Sequence, residues 1–155
     1  MQAASRGLTL SRQYRLQGSD ETTTSARVGD LVKVEVTLIA PADLDFIVLE
    51  DYVPAGLEPI DPNLETAQQT DTDAEFEREG VRYGSVWWAD VQYRDDRVVL
   101  SADYVPAGTY TFTYLARATV EGVYNVIPTT AREFYLPEVY GRAAGAQFTV
   151  QPAEE

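Results

Sequence analysis

The sequence predicts an all-β domain, two antiparallel sheets packed as a β-sandwich, and three observations carry that expectation. Apolar and polar residues alternate over several runs. Val32, Val34, Val36 and Leu38 take one parity while Lys33, Glu35 and Thr37 take the other, the period of a strand with one buried and one wet face. Prolines at 41, 54, 59, 62, 106, 128 and 137, with scattered glycines, interrupt the chain too often for long helices. Finally, Val105-Pro106-Ala107-Gly108 separates two alternating runs. Proline fixes φ and glycine accepts a positive φ, so a tight turn is expected there.

Taken in order, the strand candidates are Leu8 to Leu16, Leu31 to Ile39, Asp45 to Tyr52 and Val81 to Val91. Val98 to Tyr104 and Tyr110 to Ala116 are read as an antiparallel hairpin around the Pro106 turn. Gly122 to Ile127 and Ala146 to Val150 complete the set. Strands of this kind with few helices favour two packed antiparallel sheets. Asp51-Tyr52-Val53-Pro54-Ala55-Gly56 recurs as Asp103-Tyr104-Val105-Pro106-Ala107-Gly108. The flanks diverge at once, so the repeat reads as two similar turn solutions: each Asp-Tyr-Val leaves a strand and each Pro-Ala-Gly redirects it, with Pro54, Gly56, Pro106 and Gly108 shaping the turns.

One sandwich domain is expected over 7–150, with frayed ends at 1–6 and 151–155. A variable acidic excursion is expected at 63–80, with a short helix capped by Asn63 as the one helical candidate. Residues 51–100 hold twelve acids against four bases, and a solvated excursion accounts for that concentration without a function.

The 155 residues carry a formal net charge of −13, with neither cysteine nor histidine. Such a field repels phosphate backbones and anionic lipid, so nucleic acid is not an expected partner. The missing residue types exclude disulfides, thiol nucleophiles, a Ser-His-Asp triad and the usual zinc sites. No catalytic residue, cofactor or metal is assigned, and the chain is read as noncatalytic. The start lacks a signal-peptide pattern, and no stretch approaches the roughly 20 apolar residues of a membrane span, so direct membrane insertion is not expected.

The remaining polar and aromatic clusters are weighed in the same way. Asp43/Asp45, Asp71/Asp73 and Asp95/Asp96 lack the glycine-containing loop of a calcium site and read as solvated loops. A glycosidase-like carboxylate pair needs a cleft the sequence does not indicate. Trp87 and Trp88 are neighbours in a strand candidate and face opposite sides. Trp87 shares parity with Tyr83 and Tyr93, which fits core packing, a protein interface or a sugar platform.

The C-terminal motifs are the most informative. Arg94-Asp95-Asp96-Arg97-Val98 precedes Pro106-Ala107-Gly108-Thr109-Tyr110-Thr111-Phe112-Thr113-Tyr114, then Arg117-Ala118-Thr119 and Gly122-Val123-Tyr124. Phe134-Tyr135-Leu136-Pro137-Glu138-Val139-Tyr140-Gly141-Arg142 follows. This order, with Glu50 to Pro59 upstream, resembles the last macroglobulin-like domain of bacterial alpha-2-macroglobulins, most strongly over Val28 to Pro62 and Arg94 to Val150.

The resemblance implies a macroglobulin or receptor-binding-domain-like sandwich at the end of a large exported protease trap. Its partners are then other domains of the parent macroglobulin and, through the full-length protein, target proteases. Its location is periplasmic or extracellular, with any envelope anchor in other parts of the parent. The resemblance also implies that Tyr135, with Tyr140 as a neighbour, helps enclose a thioester located elsewhere in that parent. Phe134 stands where such domains often carry methionine. Pro137, Glu138, Gly141 and Arg142 shape and hold the loop. Tyr135 has a second reading, a loop tyrosine packed on its own domain. The alternative function is an independent extracellular adhesion or carbohydrate-binding module.

Overall fold

The structure, a computed structural model, describes residues 4–60, 75–78, 81–83, 90–136 and 138–153, and of 4–5, 75–78 and 81–83 the backbone alone. The Asn63 helix candidate and the Trp87-Trp88 pair lie outside the described residues. The described residues form strands and turns with no helix, so none presents a helix long and apolar enough to cross a membrane.

One sheet runs β1 (Ala4–Arg6), β14 (Tyr140–Arg142), β13 (Thr130–Glu133), β5 (Leu44–Tyr52), β10 (Arg97–Val105) and β9 (Asp90–Tyr93), antiparallel throughout. The second runs β2 (Thr9–Leu16), β4 (Leu31–Ala40), β11 (Gly108–Ala118), β7 (Glu75–Arg78) and β8 (Val81–Tyr83), with β6 (Leu57–Pro59) also on β11. A small third sheet joins β12 (Gly122–Val126) to β15 (Ala146–Gln151), with β3 (Ser25–Arg27) parallel to β15. Val32, Val34, Val36, Leu38 and Ala40 of β4 are buried in strict alternation and share one core cluster with Ile47, Leu49, Val98 and Leu100 of the first sheet.

Two expectations are corrected. Ala4–Arg6, placed among the loose ends, pair with Arg142, Gly141 and Tyr140; three residues are too few to show a period. Glu75–Arg78, inside the expected excursion, pair with Tyr110–Thr113.

The third correction concerns the Pro106 turn. The flanking strands do not pair with each other: β10 lies between β5 and β9, whereas β11 lies between β4 and β7. Val105 to Gly108 is therefore a corner between sheets. Its mate behaves alike, since β5 in the first sheet passes through Val53 to Gly56 into β6 in the second. Period two reveals which face of a strand is buried but not which sheet owns it, so a crossing reads as a hairpin. The two corners are held differently. Asp43 accepts hydrogen bonds from the Ala107 amide at 2.8 Å and the Tyr104 hydroxyl at 2.8 Å, and Gly108 takes a φ of 154°. At the first corner the Gly56 carbonyl accepts from the Thr119 amide at 2.8 Å. A β-carbon on Gly56 would lie 2.6 Å from the Val120 carbonyl oxygen and press into the Tyr124 ring. Gly56→Ala is expected to cost about 1–3 kcal/mol, measured as a lower midpoint in denaturant; an unchanged midpoint would show that the backbone yields there freely.

A polar network crosses the core. From the second sheet, Arg12 donates to Asp51 Oδ1 at 2.8 Å, to the Tyr52 carbonyl at 3.0 Å and to the Ile127 carbonyl at 3.3 Å. Asp51, on the first sheet, also accepts from the hydroxyls of Tyr114 and Thr129. Both charged side chains are almost wholly shielded from water, 2% and 1% exposed. Burial pulls the Arg12 pKa down, but the Asp51 charge, the next largest influence, helps reverse that and the net direction is up.

Burial also raises the phenols of Tyr14 and Tyr114 above the ordinary 10. The sign follows: the unfolded chain gives up these protons near pH 10 while the folded chain holds them. Their contribution is intact below pH 10 and falls as pH rises further, by about 1.4 kcal/mol per pH unit for each tyrosine. Urea midpoints should hold steady to about pH 9.5 and then drop; a flat profile through pH 11 would contradict the burial of these hydroxyls.

Candidate docking site

The Phe134 to Val139 segment joins two neighbouring strands of the first sheet. β13 and β14 pair through Ala131 with Gly141 and Arg132 with Tyr140, and the residues between them close the end of that pair. The Glu133 amide donates to the Val139 carbonyl at 3.1 Å, and the Val139 amide to the Leu136 carbonyl at 2.9 Å. Behind the loop, Gly141 lies against Leu8: a β-carbon there would sit 2.9 Å from the Leu8 carbonyl oxygen. Any larger residue would push β14 away from Leu8, in the link between β1 and β2.

What this loop presents is apolar. Phe134 is 58% exposed, Tyr135 70% and Leu136 51%. A fourth member comes from another strand: Phe46, near the start of β5, is 47% exposed. Its ring meets that of Tyr135 edge-on, centroids 5.1 Å apart and planes at 89°. Phe134 approaches Tyr135 at 5.2 Å and 83°. The Phe134 amide donates to the Phe46 carbonyl at 2.7 Å, and the Asp45 amide to Glu133 Oε1 at 3.2 Å. Glu133 itself is buried.

The other residues singled out in the sequence fall around this cluster. Tyr140 is exposed on β14, opposite Arg132 and Arg6, rather than at the loop tip. Glu138 is exposed in the turn, and Arg142 is half-buried between Ala4 and Thr130. Pro137 lies outside the described residues. Tyr93 packs at the core margin; the rest of the suggested aromatic platform, including the Tyr83 side chain, is not described. Of the acidic pairs, Asp43 is engaged at the second corner, whereas Asp45, Asp95 and Asp96 are exposed. Among the described residues no group of three potential metal ligands converges.

Sequence reasoning misses Phe46. In the sequence Leu44, Phe46 and Val48 share one parity, whereas in the structure Asp45 and Phe46 are both exposed between buried Leu44 and Ile47, a change of phase that only the fold reveals. What this cluster offers is an apolar contact surface. Four large apolar side chains supply a surface that gains free energy when another surface excludes water from it.

A family model described as the bacterial alpha-2-macroglobulin MG10 domain matches residues 7–138. An alpha-2-macroglobulin of Xylella fastidiosa is 31% identical over 146 residues, covering 92% of this chain and 9% of that protein. Two structures of Salmonella alpha-2-macroglobulin, one reacted with methylamine and one a tyrosine-to-glycine mutant, each superpose with a TM-score of 0.76 at 26% identity, over 98% of this chain and 10% of theirs. Native Escherichia coli alpha-2-macroglobulin from domain MG7 to the C-terminus gives 0.77 at 25% identity, over 97% of this chain and 24% of that one. The chain thus spans about a tenth of the length of its full-length relatives. An independent adhesion or carbohydrate-binding module is not favoured beside these matches. With its all-strand fold and its match over most of its length, the chain belongs to the family of bacterial alpha-2-macroglobulin MG10 domains.

Proposed function

We propose that this chain is a noncatalytic docking domain of a protease-trapping alpha-2-macroglobulin, in which the Tyr135 loop presses against another domain of the same polypeptide. The observation that supports it is the exposed cluster of Phe46, Phe134, Tyr135 and Leu136, an apolar surface in a chain of net charge −13. A domain that makes up about a tenth of its relatives' length has neighbours to cover such a surface. In a parent with a thioester, covering it would also exclude water and small amines from that bond, with Tyr135 nearest and Tyr140 beside it. Pro137, Glu138, Gly141 and Arg142 shape the loop, and Pro54, Gly56, Pro106 and Gly108 the corners. The parent acts on proteases in the periplasm or outside the cell.

Hydrogen exchange tests this directly. The loop amides of 133–136 and 138–139 should be protected in the full-length parent before protease cleavage and less so in the 155-residue chain. Tyr135→Gly in the parent should remove that extra protection, speed methylamine uptake where a thioester is present, and impair protease capture. Equal exchange in chain and parent would defeat the docking role.

A further inference from the structure

We propose that Phe46 is the positioning residue of this surface, holding Tyr135 in its docking orientation before any partner arrives; the inference rests on the docking role just proposed. Among the described residues Phe46 is the one non-glycine with a positive φ, 52°. A side chain with a β-carbon is disfavoured in that region, and glycine or asparagine would occupy it more readily. A ring that is 47% exposed contributes little to the core in return.

The unusual backbone has a local consequence on two strands. Asp45 and Phe46 both face outward, and Asp103 and Tyr104 on the facing strand are likewise both exposed, before Ile47 and Val105 resume the buried side. The ladder itself keeps its register, Tyr104 opposite Asp45 and Val105 opposite Leu44. The register skips only Phe46 and Asp103, so the backbone at residue 46 interrupts the ladder locally rather than serving strand pairing. It aims one ring at the loop.

Three links converge on that loop from residues 45 and 46. The Phe46 ring meets Tyr135 edge-on at 5.1 Å, the Phe46 carbonyl takes the Phe134 amide at 2.7 Å, and the Asp45 amide donates to the buried Glu133 carboxylate at 3.2 Å. Tyr135 is thereby held between the rings of Phe46 and Phe134. A side chain fixed in its bound orientation loses less freedom on docking than one that must be ordered by the partner. Local strain retained next to a binding surface is a recurrent feature of proteins; here the strained residue touches the exposed tyrosine.

The test uses Phe46→Gly, Phe46→Ala, Phe46→Tyr and Tyr135→Gly, in the 155-residue chain and in the full-length parent. In the chain, Phe46→Gly should melt at or above Phe46→Ala, because both lose the ring and glycine alone relieves the backbone. Both should remove the Phe46 contribution to the ring-current shift on the Tyr135 ring protons, leaving that of Phe134, and Phe46→Tyr should restore it. In the parent, Phe46→Gly should weaken loop protection by about tenfold, in the direction of Tyr135→Gly, with recovery in Phe46→Tyr. If Phe46→Gly melts below Phe46→Ala, or leaves the Tyr135 resonances and the parent unchanged while Tyr135→Gly undocks, Phe46 does not position the loop and the docking role survives. If Tyr135→Gly itself leaves the parent unchanged, the docking role has failed and the inference falls with it.

Discussion

Asp51→Ala is expected to destabilise the domain by about 3–5 kcal/mol, a large share of the roughly 5–15 kcal/mol that holds a typical domain folded. The loss does not measure the strength of an ion pair. Arg12 is 2% exposed, so removing Asp51 leaves a guanidinium in the core with only the Tyr52 and Ile127 carbonyls as acceptors, and strips the Tyr114 and Thr129 hydroxyls of their shared partner. Each is a buried donor that the unfolded chain would have hydrated. The repeated hexapeptide provides an internal control. Asp103 holds the same place in the second copy but is exposed on β10, so Asp103→Ala should change stability by no more than about 0.5 kcal/mol. Denaturant midpoints of the two variants decide the matter; comparable losses would mean that the Arg12 network is not what makes Asp51 costly to remove. A double-mutant cycle with Arg12→Met should show strong coupling at 51 and none at 103.

That contrast also shows how much of the fold the sequence discloses. The alternation in β4 and β11 identifies buried faces correctly, because a strand with one wet side writes its period into the chain. The same rule holds a clue to the network: Leu10, Arg12 and Tyr14 share one parity, and a charged residue on an inward parity calls for a buried partner. Asp51 sits likewise in step with Ile47 and Leu49. What periodicity cannot reveal is which sheet receives a strand. The two Pro-Ala-Gly corners link the sheets, and that depends on contacts far apart in sequence, such as Asp43 with Ala107. Strands of three residues, β1, β3, β6, β8 and β14, are too short to carry a pattern and are defined by the neighbour each pairs with. The candidate site divides in the same way. Phe134, Tyr135 and Leu136 are adjacent and visible as a motif, whereas Phe46 enters through the pairing of its strand with β13, just beyond Ile47, and a backbone conformation that the name of the residue argues against.

The second large effect is expected at Tyr135 in the full-length parent, where Tyr135→Gly should weaken docking of this domain by about 30-fold or more, equivalent to about 2 kcal/mol. Tyr135 is the most exposed of the cluster, 70%, and central to it, with Phe46 on one side and Phe134 on the other. A large aromatic surrounded by apolar neighbours is the kind of residue that dominates an interface once water is excluded around it. The same substitution removes little from the isolated domain, since a side chain that exposed has few contacts to lose; its melting temperature should move by only a few degrees. This split separates docking from packing on the domain itself, the other reading of this tyrosine. Were Tyr135 mainly an internal packing residue, the isolated chain would suffer and the parent would show no additional loss. Tyr135→Phe refines the result. If the ring surface carries the energy, phenylalanine should retain docking within about threefold, whereas a hydroxyl bonded across the interface would make phenylalanine nearly as damaging as glycine. Hydrogen exchange at residues 133–136 and 138–139, read in the parent before and after cleavage, measures these differences, and the ratio between the two substitutions assigns the contribution to ring or to hydroxyl.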